Sequence, residues 1–142
     1  MKPAADIIGL LKRQGSKITK ARLLLIEVLQ KQHSPLTETE LRFRLSLLGA
    51  KVNKTTVYRE LAHLKAQRIV HEIDFGDGKK RYELASSNHH HHAVCLNCKK
   101  IEDVPVGEDV AHIEKRFKKQ RHFQITSHSL EFFGLCKSCS AK

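Results

Sequence analysis

Two pairs of cysteines with the same spacing place the strongest constraint on how this chain folds. Cys95 and Cys98 form one CxxC pair, and Cys136 and Cys139 form the other. Each spacing puts two thiols on one tight turn, so the four thiolates can surround one Zn²⁺ ion tetrahedrally. Zinc bound in this way supplies folding energy that a small domain lacks in apolar core. The pattern therefore predicts a structural zinc site towards the end of the sequence.

Disulfide bonds are the alternative use of these cysteines, and they persist in oxidising compartments. The apolar run Ile7–Leu11 precedes Lys12 and Arg13, which is the reverse of the order in a signal peptide. No apolar run reaches the roughly 20 residues of a membrane span. We therefore expect a cytoplasmic protein with no membrane contact, whose thiols stay reduced. A redox-active CxxC would need only one of the two pairs.

The charge of the chain is strongly basic and unevenly distributed. The 142 residues include 26 Lys or Arg and 15 Asp or Glu, giving a formal net charge of +11. Residues 1–84 carry 17 basic and nine acidic side chains, whereas seven of the ten histidines lie beyond residue 85. Excess positive charge favours a polyanionic partner, because neutralising phosphates releases counterions. A solvated basic surface without a partner is the alternative.

The basic half of the chain has the pattern of four helices followed by a β-hairpin. The first helix is marked by Ile7, Leu10 and Leu11 and is expected to end near Gly15, and the other three are expected at 20–32, 37–48 and 54–67. Thr19 can cap the second helix, and Thr37 with Glu40 forms a capping box for the third. Strand-like runs at 69–75 and 79–84 flank a Gly-Asp-Gly turn. This order is typical of a winged helix-turn-helix, and a small helical domain with a surface hairpin is the alternative.

The fourth predicted helix has the composition of a DNA-recognition helix. Val57, Leu61 and Leu64 recur at helical spacing and are expected to pack inward. The side chains that then point outward are small, basic or aromatic, as entry into a major groove requires: Lys54, Thr55, Tyr58 and Arg59.

Four consecutive histidines, His89 to His92, precede the first CxxC pair. Alternate side chains of an extended strand face opposite ways, so His90 and His92 share one side while His89 and His91 share the other. The run can thus contribute to two metal sites; a cloning tag is the alternative, although tags lie at termini. Further candidate ligands are His33, Glu83, Asp103 and His128. A metal bound near the junction of the two halves would fix the angle between them.

The remainder of the back half alternates between strands and a helix. Strands are expected at 93–96, 101–104 and 123–135, and a helix at 108–120 with Val110, Ile113 and Phe117 facing inward. A unit this small usually buries its remaining apolar face against a second copy, so we expect a two-fold homodimer. The predicted fold class is α+β. Its parts are a winged helix-turn-helix domain at 1–84, a hinge and metal-ligand segment at 85–92, and a zinc-binding α/β dimerisation domain at 93–142.

In their order and spacing, these motifs resemble the ferric uptake regulator family of metal-responsive bacterial repressors. The resemblance runs from about Leu11 to Cys139, and its most specific parts are Thr55–Arg59, His89–Cys98, Ser127–Leu130 and the final CxxC pair. It implies a homodimer that binds an AT-rich palindromic operator in double-stranded DNA. Metal bound between the domains would close the dimer into the shape that fits this operator, as a shift of population towards the closed form.

The resemblance also assigns roles to individual residues. Tyr58 and Arg59, beside Thr55, would contact the major groove, Lys17 would approach the minor groove, and Arg22 would meet the DNA backbone. The four cysteines would hold structural zinc. The sensing site would comprise His33, Glu83, His90, His92 and Asp103. A further site in the dimerisation domain would comprise His89, His91 and His128, with Glu108 or His112 in place of the acidic ligand usual near Ala111.

The effector metal is the least determined part of the resemblance. A sensing site with Glu and Asp beside three His and no Cys resembles iron, manganese or peroxide-sensing members, and mixed N/O ligands suit Fe²⁺ or Mn²⁺. The four-histidine run is similar to some zinc-responsive members, and imidazole-rich sites bind Zn²⁺ strongly. We expect Fe²⁺, with Mn²⁺ or Zn²⁺ as the other effectors and a zinc-uptake or peroxide-responsive regulator as the alternative function.

Two other classes of protein use similar residues. A metal-dependent hydrolase needs an open metal position beside a general base, which Glu83 or Asp103 would supply. The sequence contains neither a nucleophile motif nor a phosphate-cradling loop, so we do not expect an enzyme. The other alternative is a metal-storage or zinc-ribbon interaction protein in which the DNA-reading helix is incidental.

Overall fold

A computed structural model describes residues 4–85, 90–105 and 108–141 of the chain. The chain divides into two compact units, Met1–Ser87 and Asn88–Lys142. Residues 86–89, which include half of the predicted hinge segment and the candidate ligand His89, lie outside the described residues. Among the helices that the structure describes, none is long and apolar enough to cross a membrane.

The described part of the first unit contains the four helices that the sequence predicts. They are α1 (Ala4–Arg13), α2 (Lys20–Gln30), α3 (Glu38–Leu47) and α4 (Lys54–Ala66). Side chains cap three of them: Thr19 accepts a hydrogen bond from the Arg22 N–H, and Asn53 accepts one from the Thr56 N–H. Thr37 and Glu40 form the predicted capping box, with both of its hydrogen bonds present. The starts of these helices are therefore determined locally.

The hairpin follows the helices as predicted and forms a three-stranded sheet. β2 (Val70–Asp74) and β3 (Lys80–Leu84) pair antiparallel, and the short β1 (Leu36–Thr37), which the sequence does not predict, pairs with the other edge of β3. Gly76 and Gly78 both have φ of +75°, the left-handed region that favours glycine. The tip between β2 and β3 is the wing of a winged helix-turn-helix.

One apolar core joins the helices and the sheet of the first unit. Leu11 of α1, Leu41 of α3 and Leu64 of α4 are completely buried within it. Val57 and Leu61 of α4 are each 1% exposed, as their helical spacing predicts. Because α4 buries this face, the opposite face and the first turn remain available to a ligand.

The second unit is a small sheet with a long helix. β4 (His91–Cys95) lies at the centre, antiparallel to β5 (Ile101–Val104) and parallel to β6 (Glu131–Gly134). α5 (Glu108–Arg121) precedes β6, and the short α6 (Lys137–Ser140) follows it. The strand predicted at 123–135 is wrong in length, because only residues 131–134 find partners along the five-residue β4.

The apolar side chains of α5 are less buried within the single chain than the sequence predicts. Ile113 and Phe117 were expected to pack inward, yet they remain 48% and 47% exposed within the single chain. Phe132 and Phe133 of β6 are similarly exposed, at 42% and 49%. A unit this small lacks the apolar core to bury all of its large side chains, so several of them remain incompletely covered within the single chain.

Candidate metal centres and nucleic-acid interface

The four cysteines lie on two tight backbone turns of the second unit. Cys95 ends β4, and its carbonyl accepts a hydrogen bond from the Lys99 N–H, while its own N–H donates to the Lys100 carbonyl. Lys99 has φ of +63°, which reverses the chain immediately after Cys98. The second pair forms a helical turn, because Cys136 is the N-cap of α6 and its carbonyl accepts from the Cys139 N–H.

The four thiol groups converge to a spacing that fits a metal ion. All four Sγ atoms lie within 4.8 Å of one another, and those of Cys98 and Cys136 are 3.7 Å apart. A tetrahedral zinc with Zn–S bonds of about 2.3 Å separates its sulfur ligands by about 3.8 Å. No disulfide joins any of these four cysteines. The donor set and the spacing therefore fit a Cys₄ zinc site.

Backbone amides prepare one of these thiols to act as a thiolate. The N–H groups of Cys136 and Cys98 point at Cys95 Sγ, with N···S distances of 3.4 Å and 3.5 Å. These hydrogen bonds lower the pKa of Cys95 to about 6, because they favour its charged form. A hydrogen bond with Cys136, together with burial, raises the pKa of Cys139. Zinc binding therefore requires proton loss from Cys139, whereas Cys95 is already largely ionised near neutral pH.

A second group of metal-ligating side chains lies at the other end of β4. The rings of His90 and His92 are 5.0 Å apart between centroids and nearly perpendicular. His92 faces Asp103 across the β4–β5 pair, with Nε2 and Oδ1 separated by 3.9 Å. His92 is 4% exposed, whereas the Asp103 side chain is 54% exposed. Two imidazoles and a carboxylate thus gather on one side of the sheet, as the alternation of an extended strand predicts.

The other two predicted sensing ligands belong to the first unit. His33 is exposed and follows α2, and Glu83 is a half-buried residue of β3. The structure brings His90, His92 and Asp103 together within the second unit.

His91 faces the opposite side of β4, where it meets His128. Their ring centroids are 5.2 Å apart. His128 Nδ1 lies 2.7 Å from Glu114 Oε1 on α5, so a carboxylate completes this group. Sequence reasoning missed Glu114 and considered Glu108 and His112 instead. Helical spacing could have identified Glu114, because it lies one helical turn after Ala111 and so on the same side of α5. His112 is exposed and lies about 200° away from Glu114 around the helix.

The first turns of α4 expose the side chains predicted to read DNA. Thr55, Tyr58 and Arg59 are all exposed, with Tyr58 at 41%. Lys54 Nζ lies 5.8 Å from the centroid of the Tyr58 ring, a cation–π contact that keeps two of these groups side by side. Lys17, in the loop before α2, is also exposed. These residues form a basic and aromatic surface on the first unit.

The wing is held to α4 by charged side chains. Glu72 of β2 lies 3.2 Å from Lys65 Nζ on α4 and 3.0 Å from Lys80 Nζ on β3. Burial raises the pKa of Glu72, but hydrogen bonds from the two lysines outweigh this effect and lower it. At the tip, Arg81 donates to both carboxylate oxygens of Asp77, at 2.9 Å and 2.7 Å. The wing is therefore braced against the recognition helix and closed at its tip.

Arg22, for which the resemblance implies a contact with the DNA backbone, is bonded inside the first unit. It is 7% exposed, and its Nε donates to Glu60 Oε2 at 2.6 Å while its Nη1 donates to the Lys17 carbonyl at 2.5 Å. In this DNA-free structure the guanidinium of Arg22 is buried and bonded within the domain, and its contact with the DNA backbone stays a prediction.

Comparison with known proteins places this fold in a family. The model of the ferric uptake regulator family matches residues 13–133. A ferric uptake regulation protein of Legionella pneumophila is 32% identical over 130 residues, which are 91% of this chain and 95% of that protein. A peroxide-responsive repressor of Staphylococcus saprophyticus is 31% identical, covering 96% and 91%. The solved structure of the Vibrio cholerae ferric uptake regulator is 35% identical, with a TM-score of 0.72 over 89% of this chain and 96% of that one.

Proposed function

Because this chain belongs to the ferric uptake regulator family, and is thus a metal-responsive transcriptional regulator and not an enzyme, we propose that it is an iron-dependent repressor of metal-homeostasis genes. The observation that carries this proposal is the arrangement of His90, His92 and Asp103, which combines imidazole and carboxylate donors within the second unit. Such mixed donors suit Fe²⁺ or Mn²⁺ better than a thiolate site would.

We assign the four cysteines to structural zinc, and His33, Glu83, His90, His92 and Asp103 to the sensing site. His33 and Glu83 come from the DNA-reading domain, so a metal held by all five residues would restrict the angle between the domains. Metal would bind this closed arrangement better than the open one, and that difference in affinity would determine how far DNA binding rises.

For the additional site we propose His91, His128 and Glu114, with His89 as a further ligand from the same run. The support is the 2.7 Å separation between His128 Nδ1 and Glu114 Oε1, since a ligating histidine commonly shares its other ring nitrogen with a carboxylate. Glu114 thus replaces Glu108 and His112 as the acidic partner of this site.

DNA binding is proposed to use Lys17, Thr55, Tyr58 and Arg59 on a palindromic, AT-rich operator. Two copies of the chain would supply the two half-sites, with the apolar surface around Ile113, Phe117 and Phe133 buried between them. The half-buried aromatic side chains of this surface support such a dimer. We expect the regulator to act in the cytoplasm, where its operator and its reduced thiols are found together.

The test is a titration of the metal-free sensing site under anaerobic conditions. Protein that retains structural zinc is mixed with labelled operator DNA, and binding is followed by fluorescence anisotropy as Fe²⁺, Mn²⁺ or Zn²⁺ is added. We expect Fe²⁺ to raise operator affinity at least about 100-fold, within the usual range of coupling free energies. Equal affinity with and without every metal would overturn the proposal.

A matched pair of variants distinguishes the loss of a sensing ligand from the loss of a histidine outside the site. His90→Ala should lose the metal response while remaining a folded dimer, and His122→Asn, which alters an exposed histidine at the end of α5, should keep it. Asparagine is chosen because His122 has φ of +51°, which asparagine tolerates. A metal response that survives in His90→Ala would remove this residue from the site.

A peroxide-responsive repressor is the second candidate function, favoured by the relative from Staphylococcus saprophyticus. Such a protein would bind the same metals, but its Fe²⁺ form would lose operator binding after exposure to hydrogen peroxide while its Mn²⁺ form would not. Mass spectrometry of the peroxide-treated Fe²⁺ form would then show oxygen added to a ligand histidine.

A further inference from the structure

Two side-chain bridges tie the loop before α2 to the recognition helix α4. Ser16 Oγ lies 3.0 Å from His63 Nε2 of α4. The second bridge passes through Arg22, which donates from Nη1 to the Lys17 carbonyl and from Nε to Glu60 Oε2. The loop and the helix are therefore connected directly and not only through the apolar core.

The bridge through Arg22 is specific to the shape of the guanidinium. The side chains of Arg22 and Glu60 are 9% and 15% exposed, so the pair is largely removed from water. Loss of one partner would leave the other charge buried and unpaired, which is costly. A lysine keeps the positive charge but has no planar fork, so its single ammonium group cannot reproduce both hydrogen bonds in this geometry.

The two ends of the bridge coincide with the two parts of the DNA-reading surface. Glu60 directly follows Arg59 in α4, and the carbonyl held by Arg22 belongs to Lys17, whose side chain is exposed. We propose that Arg22 is a positioning residue for DNA recognition, which sets Lys17 relative to the recognition helix without touching DNA. This inference rests on the proposed DNA-binding function.

The role predicts an effect on sequence preference as well as on affinity. Lys17 is assigned to a minor groove, and A·T-rich minor grooves are narrow and electronegative, which attracts basic side chains. A loop that is no longer held would lose part of this preference while the major-groove contacts of Arg59 remain. Simple loss of folded protein would reduce binding to all sequences by the same factor.

The experiment measures two DNA duplexes with each variant of the metal-loaded protein. The first duplex is an AT-rich palindrome selected from a random pool by the wild-type protein, and the second has G·C in place of A·T at the flanking minor-groove positions. The variants are Lys17→Ala, Arg22→Lys and the double variant. Arg42→Lys is the matched control, because Arg42 Nε pairs with Glu38 Oε1 within α3 and has no bond to the loop in the described structure.

We expect Arg22→Lys to weaken binding to the AT-rich duplex about tenfold, in line with the loss of a charged hydrogen bond. It should also reduce the preference for the AT-rich duplex to that of Lys17→Ala. The double variant should bind no worse than Lys17→Ala alone, because Arg22 acts through Lys17. Arg42→Lys should retain the wild-type preference.

Several results would overturn the inference. The first is an Arg22→Lys protein that prefers the AT-rich duplex as strongly as the wild type does. The second is a double variant whose loss of affinity is the sum of the two single losses. The third is an equal loss of preference for the AT-rich duplex in Arg22→Lys and Arg42→Lys. If Arg22→Lys does not fold, Glu60→Gln provides the same comparison. Glutamine keeps an oxygen that accepts a hydrogen bond but lacks the negative charge of Glu60. By contrast, a wild-type protein that binds no duplex with any metal would refute the proposed function and not the bridge alone.

Discussion

Replacing Phe117 with alanine should separate the two copies of the chain. Phe117 of α5 is 47% exposed in the single chain. A phenylalanine side chain has about 200 Å² of surface, so about 95 Å² remains for a partner to cover. At about 25 cal/mol per Å², that area contributes about 2.4 kcal/mol. In a two-fold dimer the substitution occurs twice, so complete burial would correspond to about 5 kcal/mol.

A change of about 5 kcal/mol raises the dimer dissociation constant roughly 3,000-fold, since each 1.4 kcal/mol is a factor of ten. Sedimentation velocity over a range of protein concentrations would measure this constant for Phe117→Ala. Lys118→Ala is the matched control, because Lys118 is exposed on the same helix about 100° away. Zinc content and circular dichroism would establish that both variants remain folded.

If Phe117→Ala has the same dimer dissociation constant as the wild-type protein, this reasoning is refuted. It would mean that the apolar surface of α5 faces something other than a second copy. An equal loss in Lys118→Ala would also contradict it, because the effect would then follow from any change in α5 and not from the buried area.

Three other perturbations have defined outcomes. Cys98→Ser should lose zinc and destabilise the second unit, because it removes one of four converging thiols; elemental analysis and thermal melting would test this, and an intact zinc-free dimer would contradict it. Arg59→Ala should lose about tenfold or more in operator affinity while metal uptake, measured by equilibrium dialysis, is unchanged. Glu72 has a lowered pKa in the folded state, so it should stabilise the first unit above its ordinary pKa of about 4.5 and lose this contribution as pH falls through the folded value. Glu72→Gln should therefore flatten the acid side of the pH–stability profile, and an unchanged profile in urea denaturation would show that Glu72 has no such role.

Features encoded by neighbouring residues were predictable from the sequence. The capping box of Thr37 and Glu40 depends on residues three apart, and the buried face of Val57 and Leu61 depends on helical spacing. The cluster of four cysteines was predictable for a different reason, since two CxxC pairs suit the tetrahedral coordination of one zinc ion. In each case the sequence pattern itself contains the physical cause.

Features that depend on distant partners were not predictable in this way. Arg22 is buried because Glu60, 38 residues later, is available to pair with it. Helical spacing points to Glu114, but its pairing with His128, 14 residues later, depends on the path of the chain between α5 and β6. The length of β6 depends on β4, whose five residues limit how much of the strand predicted at 123–135 can pair. Tertiary context therefore determines which groups these side chains contact.

The strand β4 has a consequence for the order in which metals are loaded. His91 to Cys95 spans only about 13 Å, yet it carries histidines of two candidate sites at its beginning and a zinc ligand at its end. A slip of one residue along β5 and β6 would exchange the sides of His91 and His92, because strand side chains alternate. Zinc held by Cys95 fixes one end of β4 and so excludes this slip. A newly made chain would then need zinc before its histidines can distinguish any other metal, so the response to a second metal would depend on the zinc supply of the cell.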